Sequence, residues 1–206
     1  DAELLGGPLL IKYAKEGAHV TCANTVMGRL EGPDCTEQEK EAYLRQVAEE
    51  SERAAADLGG DTLWLGYDSK TMPTTEVFAR RLEEWFSEEG VDLVITHWRG
   101  SMHPRHIATE AVKSMRRKGS GIRLLYGLTF EDLVGFIPQA YVVLSDEEVN
   151  QWMKALNEYA IFRGEVNDFP YLPYYPTNLR VKQIESGSSG PTVCYMYASL
   201  IENELW

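Results

Sequence analysis

The sequence has few cysteines, no long apolar run and a deficit of basic residues. Its 20 Lys and Arg face 32 Asp and Glu, and the net charge of -12 disfavours a surface that follows nucleic-acid phosphates. No stretch reaches the roughly 18 to 20 apolar residues of a membrane span, and none has the pattern of a signal peptide. Cys22, Cys35 and Cys194 lack CxxC spacing, which disfavours a disulfide framework and a cysteine zinc site. We therefore expect a cytoplasmic protein with reduced thiols, no nucleic-acid partner and no membrane span.

Alternating helical and strand patterns predict the fold class. The segment ELLGGPLLIKYAKEG has apolar residues at helical spacing and predicts a helix from about Glu3 to Glu16. A long charged helix should follow Thr36, which stands in capping-box spacing to Glu39. The segments AHVTCANTV, TLWLGY and VDLVITH separate the helices as apolar strands. This order predicts an α/β, Rossmann-like fold with a mostly parallel sheet, helices on both faces, and ligands beyond the carboxyl ends of the strands.

The last third of the chain has a different pattern. GIRLLYGLTF and AYVVLS predict two further strands, and Ser145 precedes an amphipathic helix as its cap. FPYLPYYPTNL contains Pro170, Pro173 and Pro176, which predict an irregular loop that flanks a site. At 206 residues, the chain is expected to form a single domain over residues 1–206.

Two histidines stand three residues apart in MHPRH, directly after the predicted strand that ends at His97. His103 and His106 face the same way if Pro104 lies in the first turn of a helix. One could then bind zinc while the other transfers a proton, or both could bind the metal. The alternative is that they are only polar residues at a helix start. His97 is either a supporting residue of the site or a core histidine.

The opening segment DAELLGG carries a carboxylate directly before the first predicted helix. Alone, Asp1 is interpreted as a helix cap. Together with HPRH, however, the segment resembles the PIG-L/LmbE-like zinc-dependent N-deacetylase family, whose first strand ends in His-Pro-Asp-Asp shortly before a glycine pair. The resemblance continues in order through CANTVMGRLEG, EESERAAADLGG, LWLGYDSKTM, VDLVITHWRGSMHPRH and LLYGLTFEDLVGFIPQAYVVLS, and covers the chain to about residue 175.

The resemblance implies a zinc ion. Asp1 matches the second aspartate of the family's first motif and His106 the last histidine of HPxH, and both are zinc ligands in that family. The family's remaining histidine ligand and its general-base aspartate would stand before Asp1. We therefore expect the sequence to be N-terminally incomplete, without a first strand that would lie centrally in the sheet.

The resemblance also implies roles for two further residues. His103 matches the histidine that stabilises the oxyanion and protonates the leaving amine, although Arg105 replaces the usual aspartate and makes the acid role less secure. Asp68 matches a polar position near the substrate sugar, with a plain surface turn as the alternative. Glu50 matches a recurrent acidic residue, but Val47 stands where the family often has arginine, which weakens the case for phosphate or inositol recognition.

The function implied by the resemblance is zinc-dependent hydrolysis, by metal-activated water, of the N-acetyl group of a GlcNAc-type amino sugar or related small molecule. The segment from about residue 160 would flank the substrate. The alternative is a non-catalytic member of the fold that binds a sugar or a partner, and a homo-oligomer is left open. A nucleotide-binding domain is disfavoured because the sequence lacks GxGxxG spacing and a Walker lysine.

Overall fold

The structure is a computed structural model, and it describes residues 1–26, 30, 35–67, 73–100, 106–130 and 135–198. The chain divides into two compact units, one formed by residues 1–72 and 143–193 and the other by residues 73–142 and 194–206. The elements in chain order are α1 (Ala2–Lys15), β1 (Thr21–Val26), α2 (Glu37–Asp57), β2 (Asp61–Tyr67), α3 (Thr75–Glu88), β3 (Leu93–His97), α4 (Ile107–Arg117), β4 (Arg123–Gly127), β5 (Ala140–Val143), α5 (Asp146–Asn157), α6 (Ala160–Arg163), α7 (Tyr174–Ser186) and β6 (Thr192–Tyr197). The prediction of one domain remains a prediction.

Within the ranges that the structure describes, the strands form two sheets. In the first unit β1 and β2 pair in parallel, with Thr21 opposite Asp61. The other sheet has the order β3-β4-β6-β5, in which β3 and β4 are parallel and β6 runs antiparallel to β4. Helices alternate with the parallel strands, so the predicted α/β class is confirmed. The antiparallel strand β6 was not predicted.

Reciprocal caps between a hydroxyl and a carboxylate start two of the described helices, α2 and α5. The Thr36 hydroxyl accepts a hydrogen bond from the Glu39 N–H, and the Glu39 carboxylate accepts one from the Thr36 N–H, which starts α2. Ser145 and Glu148 form the same reciprocal pair at the start of α5. Both predicted caps are confirmed. Each pair satisfies two main-chain N–H groups that have no partner within the helix, because no helical turn precedes them.

Each unit has its own apolar core. In the first, α1 packs against α5 and β1, and α2 packs against α5 and β2. Its fully buried side chains include Ile11, Leu58 and Leu156. In the second, α3 packs against α4, and α4 packs against β3 and β4, around Phe78, Val112 and Leu124.

The proline-rich segment differs from its prediction. We expected residues 169–179 to be an irregular loop, but α7 begins within this segment at Tyr174 and continues to Ser186. Pro173 is the N-cap residue and Pro176 lies in the first turn. The main-chain N–H groups of a first turn have no partner within the helix, so proline loses no hydrogen bond there. The loop prediction was therefore wrong for residues 174–179.

Among the helices in the described ranges, none is long and apolar enough to cross a membrane.

An ion pair between α1 and α5 should make stability depend on pH. Lys12 Nζ donates to both carboxylate oxygens of Glu148, at 3.0 and 2.9 Å. Burial acts to raise the pKa of Glu148, but the Ser145 N–H and Lys12 outweigh it and hold that pKa below its ordinary value. The folded state therefore favours the charged carboxylate. The stabilisation that the charged Glu148 gives the folded state is present at neutral pH. It is lost as the pH falls below about 4.5 and passes through the lowered pKa of Glu148.

We predict that Glu148→Gln lowers the free energy of unfolding at pH 7 by about 1 to 2 kcal/mol. The difference from wild type should shrink in acid, because the wild-type carboxylate becomes protonated there. Urea unfolding at several pH values measures both effects. Glu147→Gln is the matched control, since the Glu147 side chain is 84% exposed and lies 4.0 Å from Lys15. A difference for Glu148→Gln that is independent of pH would contradict this account.

Candidate active site

Asp1 occupies the N-cap position of α1. Its main-chain oxygen accepts hydrogen bonds from the N–H groups of Leu4 and Leu5, at 3.1 and 3.0 Å. Its carboxylate makes no capping hydrogen bond to α1, every residue of which is described. Asp1 is therefore the N-cap residue of α1, as interpreted from the segment alone, but it caps the helix through its main-chain oxygen and not through a side-chain hydrogen bond.

His106 occupies the same position in α4. Its main-chain oxygen accepts from the Glu110 N–H at 3.1 Å, whereas its side chain makes no capping hydrogen bond to α4. The ring is half-buried, with Nδ1 fully buried. Because φ and ψ of His106 are -104° and 50°, the regular helix begins only at Ile107. His103 lies outside the described residues, so the predicted facing of His103 and His106 remains a prediction.

His97 lies at the carboxyl end of β3, opposite Gly127 of β4, and is buried. The next residue, Trp98, makes an edge-to-face contact with Tyr126, with ring centroids 5.4 Å apart. Polar side chains at this end of a parallel strand agree with the general placement of ligand sites in α/β folds. His97 is thus a buried residue near the start of the segment that leads to His106.

Three residues singled out from the sequence, His103, Arg105 and Asp68, lie outside the described residues. Asp68 directly follows Tyr67, the last residue of β2. Their predicted roles remain predictions.

The donor types of the two predicted ligands fit zinc, which binds imidazole nitrogen and carboxylate oxygen. Asp1 belongs to the first unit and His106 to the second. Within the described ranges, no three His, Cys, Asp or Glu side chains are grouped so that they could hold a metal. Neither the Asp1 carboxylate nor the His106 ring is used to cap its own helix.

Glu3 is a buried carboxylate that sequence reasoning missed as a candidate. Its side chain has no exposed surface, and its Oε1 accepts a hydrogen bond of 2.8 Å from the Tyr159 hydroxyl. Its main-chain oxygen accepts one of 2.9 Å from the Trp152 indole. Burial, followed by the charge of Glu3, raises the pKa of Tyr159 and that of Cys22 above their ordinary values. The sequence did contain an indication of this burial, since Glu3 is an acidic residue among the apolar positions of the first predicted helix.

A second buried carboxylate, Glu50, lies on α2. Its Oε1 accepts a hydrogen bond of 2.7 Å from Gln46 Nε2. Val47, which stands where the family often has arginine, is buried in the core of the first unit. This position therefore contributes to packing and supplies no cation for a phosphate.

The segment from about residue 160 contains α6, a connection and α7. Phe169 is 58% exposed and makes an edge-to-face contact with Tyr171, with ring centroids 4.8 Å apart. The Tyr171 hydroxyl accepts a hydrogen bond from Asn167 Nδ2. That this aromatic segment flanks a substrate remains a prediction.

Comparison with known families identifies the chain. Residues 1–115 match the family model described as PIG-L, GlcNAc-PI de-N-acetylase. The chain belongs to this family. The match confirms the resemblance based on DAELLGG and HPRH, and it covers Asp1, Asp68, His103 and His106. No curated protein matches the sequence.

Solved structures support the same fold. The A40926 pseudoaglycone deacetylase Dbv21 has a TM-score of 0.72 at 17% identity, covering 97% of this chain and 95% of that one. The N,N'-diacetylchitobiose deacetylase from Pyrococcus horikoshii has a TM-score of 0.69 at 18% identity, covering 96% and 79%. GalB, the 4-carboxy-2-hydroxymuconate hydratase from Pseudomonas putida, has a TM-score of 0.73 at 12% identity, covering 98% and 94%. Because a hydratase shares the fold, fold alone does not determine the reaction.

The lack of a side-chain cap at Asp1 leads to a stability prediction. Asp1→Ala should change the free energy of unfolding of the metal-free protein by less than about 0.5 kcal/mol, since no capping bond is lost. Thr36→Ala should cost about 1 kcal/mol, because its hydroxyl caps α2. Urea unfolding in the presence of a chelator compares the two. Equal losses in both variants would show that the Asp1 side chain does cap its helix.

Proposed function

We propose that this PIG-L family protein is a zinc-dependent N-deacetylase. It hydrolyses the amide of an N-acetylated amino sugar of the GlcNAc type, or of a related small molecule, to acetate and a free amine. The observation that best supports this is the family match over residues 1–115, which includes Asp1 and both histidines of HPRH. The free state of Cys22, Cys35 and Cys194 is compatible with action in the reducing cytoplasm.

Asp1 and His106 are the proposed zinc ligands. A zinc ion with an open position acidifies a water molecule and polarises an amide carbonyl. For this protein, the proposal assigns to the Asp1 carboxylate and the His106 imidazole the task of holding that ion. Both residues stand at helix N-cap positions, and both lie within the residues matched by the family model.

His103 and Asp68 are proposed to act on the substrate. His103 donates a hydrogen bond to the carbonyl oxygen as negative charge develops there, and it protonates the amine nitrogen as the C–N bond breaks. Asp68 accepts hydrogen bonds from sugar hydroxyls. Arg105 stands in the HPRH segment where the family usually has an aspartate.

Alanine variants of His103 and His106 in the full-length protein should distinguish a substrate-acting histidine from a metal ligand. His106→Ala removes a metal ligand, so bound zinc and activity should fall together. His103→Ala should keep its zinc and lose roughly 100-fold or more in kcat, the usual effect of losing an oxyanion donor or general acid. Zinc content by elemental analysis and release of free amine from N-acetylglucosamine measure both.

The same experiment separates the alternatives. Equal zinc loss in both variants would mean that the roles of the histidines are wrongly divided. Zinc binding and sugar binding without amine release in the wild type would favour the non-catalytic sugar-binding alternative, for which Arg105 in place of the usual aspartate is the supporting observation.

A further inference from the structure

We propose that Glu3 is a positioning residue, held by Tyr159 and Trp152, that orders the first turn of α1 and thereby places Asp1 for metal binding. The metal part of this inference rests on the proposed function. The ordering part rests on contacts within the first unit alone. Glu3 has no exposed surface, so it acts through Asp1 and does not touch the substrate itself.

The first turn of α1 connects Glu3 to Asp1. The Asp1 main-chain oxygen accepts from the N–H groups of Leu4 and Leu5, the residues that directly follow Glu3. Helix ends fray readily unless side chains or tertiary contacts hold them. Tertiary contacts of Glu3, in this same first turn, therefore bear directly on how well this end is ordered.

Tyr159 supplies the side-chain anchor. Its hydroxyl donates to Glu3 Oε1 at 2.8 Å, and it lies at the N-cap of α6, 156 residues along the chain. The phenol is buried and packs against Phe162, with ring centroids 5.0 Å apart. A buried carboxylate that loses its donor is left with an uncompensated desolvation cost. The phenol therefore determines where the Glu3 side chain can lie.

Trp152 supplies the main-chain anchor. Its indole N–H donates to the Glu3 main-chain oxygen at 2.9 Å, and its ring is buried on α5. At Gly7, one turn further along α1, an added Cβ would lie 2.6 Å from the Trp152 ring. The missing side chain at Gly7 thus allows the indole to approach α1 closely enough to reach Glu3. Two donors from α5 and α6 therefore fix both the backbone and the side chain of Glu3.

The test uses Tyr159→Phe, which removes the donating hydroxyl and keeps the ring. Tyr43→Phe is the matched control, because Tyr43 is also buried in the first unit, on α2. In the metal-free full-length protein, amide hydrogen exchange at Leu4 and Leu5 should be faster in Tyr159→Phe than in Tyr43→Phe. The zinc dissociation constant, measured by competition with a chelator, should rise roughly 10-fold or more only in Tyr159→Phe.

Two substitutions of Glu3 that keep its length provide a second test, with zinc affinity as the measured quantity. Glu3→Gln keeps an oxygen that can accept from Tyr159 and should retain zinc affinity within a few-fold. Glu3→Met has a similar length without an acceptor and should lose affinity as Tyr159→Phe does. If Glu3→Met fails to fold, the comparison of Tyr159→Phe with Tyr43→Phe still tests whether Glu3 orders the first turn of α1.

Unchanged exchange and unchanged zinc affinity in Tyr159→Phe would overturn the inference. Faster exchange with unchanged zinc affinity would overturn the link from Glu3 to metal binding. Zinc affinity that is insensitive to Asp1→Ala would instead overturn the proposed ligand role of Asp1, while faster exchange at Leu4 and Leu5 in Tyr159→Phe would still support the ordering of the first turn by Glu3.

Discussion

A carboxylate with no access to water has to find its donors inside the protein, and Glu3 imposes this constraint on the first unit. Its Oε1 accepts from the Tyr159 hydroxyl, and the main-chain oxygen of the same residue accepts from the Trp152 indole, so both donors come from distant parts of the chain. These bonds tie α1 to α5 and to the start of α6, so residues from both ends of the sequence share one core. Breaking either bond leaves a buried polar group unsatisfied, which is why this small contact has a large influence.

Among the described helices, some N-cap side chains make a capping bond and others, including Tyr159 and Pro173, do not. Thr36, Thr74 and Ser145 use their hydroxyls to satisfy first-turn N–H groups. Asp1 and His106 stand at the same position in their helices and make no such bond. In α1, tertiary contacts from Trp152 and Tyr159 to Glu3 hold the first turn in addition to its main-chain bonds.

Local patterns in the sequence were enough for much of the fold. The capping boxes at Thr36 and Ser145 and the alternation of helices with apolar strands predicted α2, α5 and the α/β class, because these signals act over a few residues. The start of α7 was not predicted because the prolines of this segment were interpreted as helix breakers. Pro173 and Pro176 stand at the N-cap and in the first turn, where proline is tolerated. β6 and the burial of Glu3 depend on partners far along the chain, which periodicity cannot reveal. Asp1 and His106 were proposed from the family motif, and their roles, like those of His103 and Asp68, remain predictions.

Gly7 limits how this protein could be engineered. Replacing glycine by alanine inside a helix usually stabilises a protein, because the unfolded chain loses freedom and helix propensity rises. At Gly7 the added methyl group would meet the Trp152 ring at 2.6 Å. The indole would have to move away from α1 and give up its bond to Glu3. A consensus or propensity-based design that filled this position would thus gain a better helix former and lose the contact that anchors its first turn.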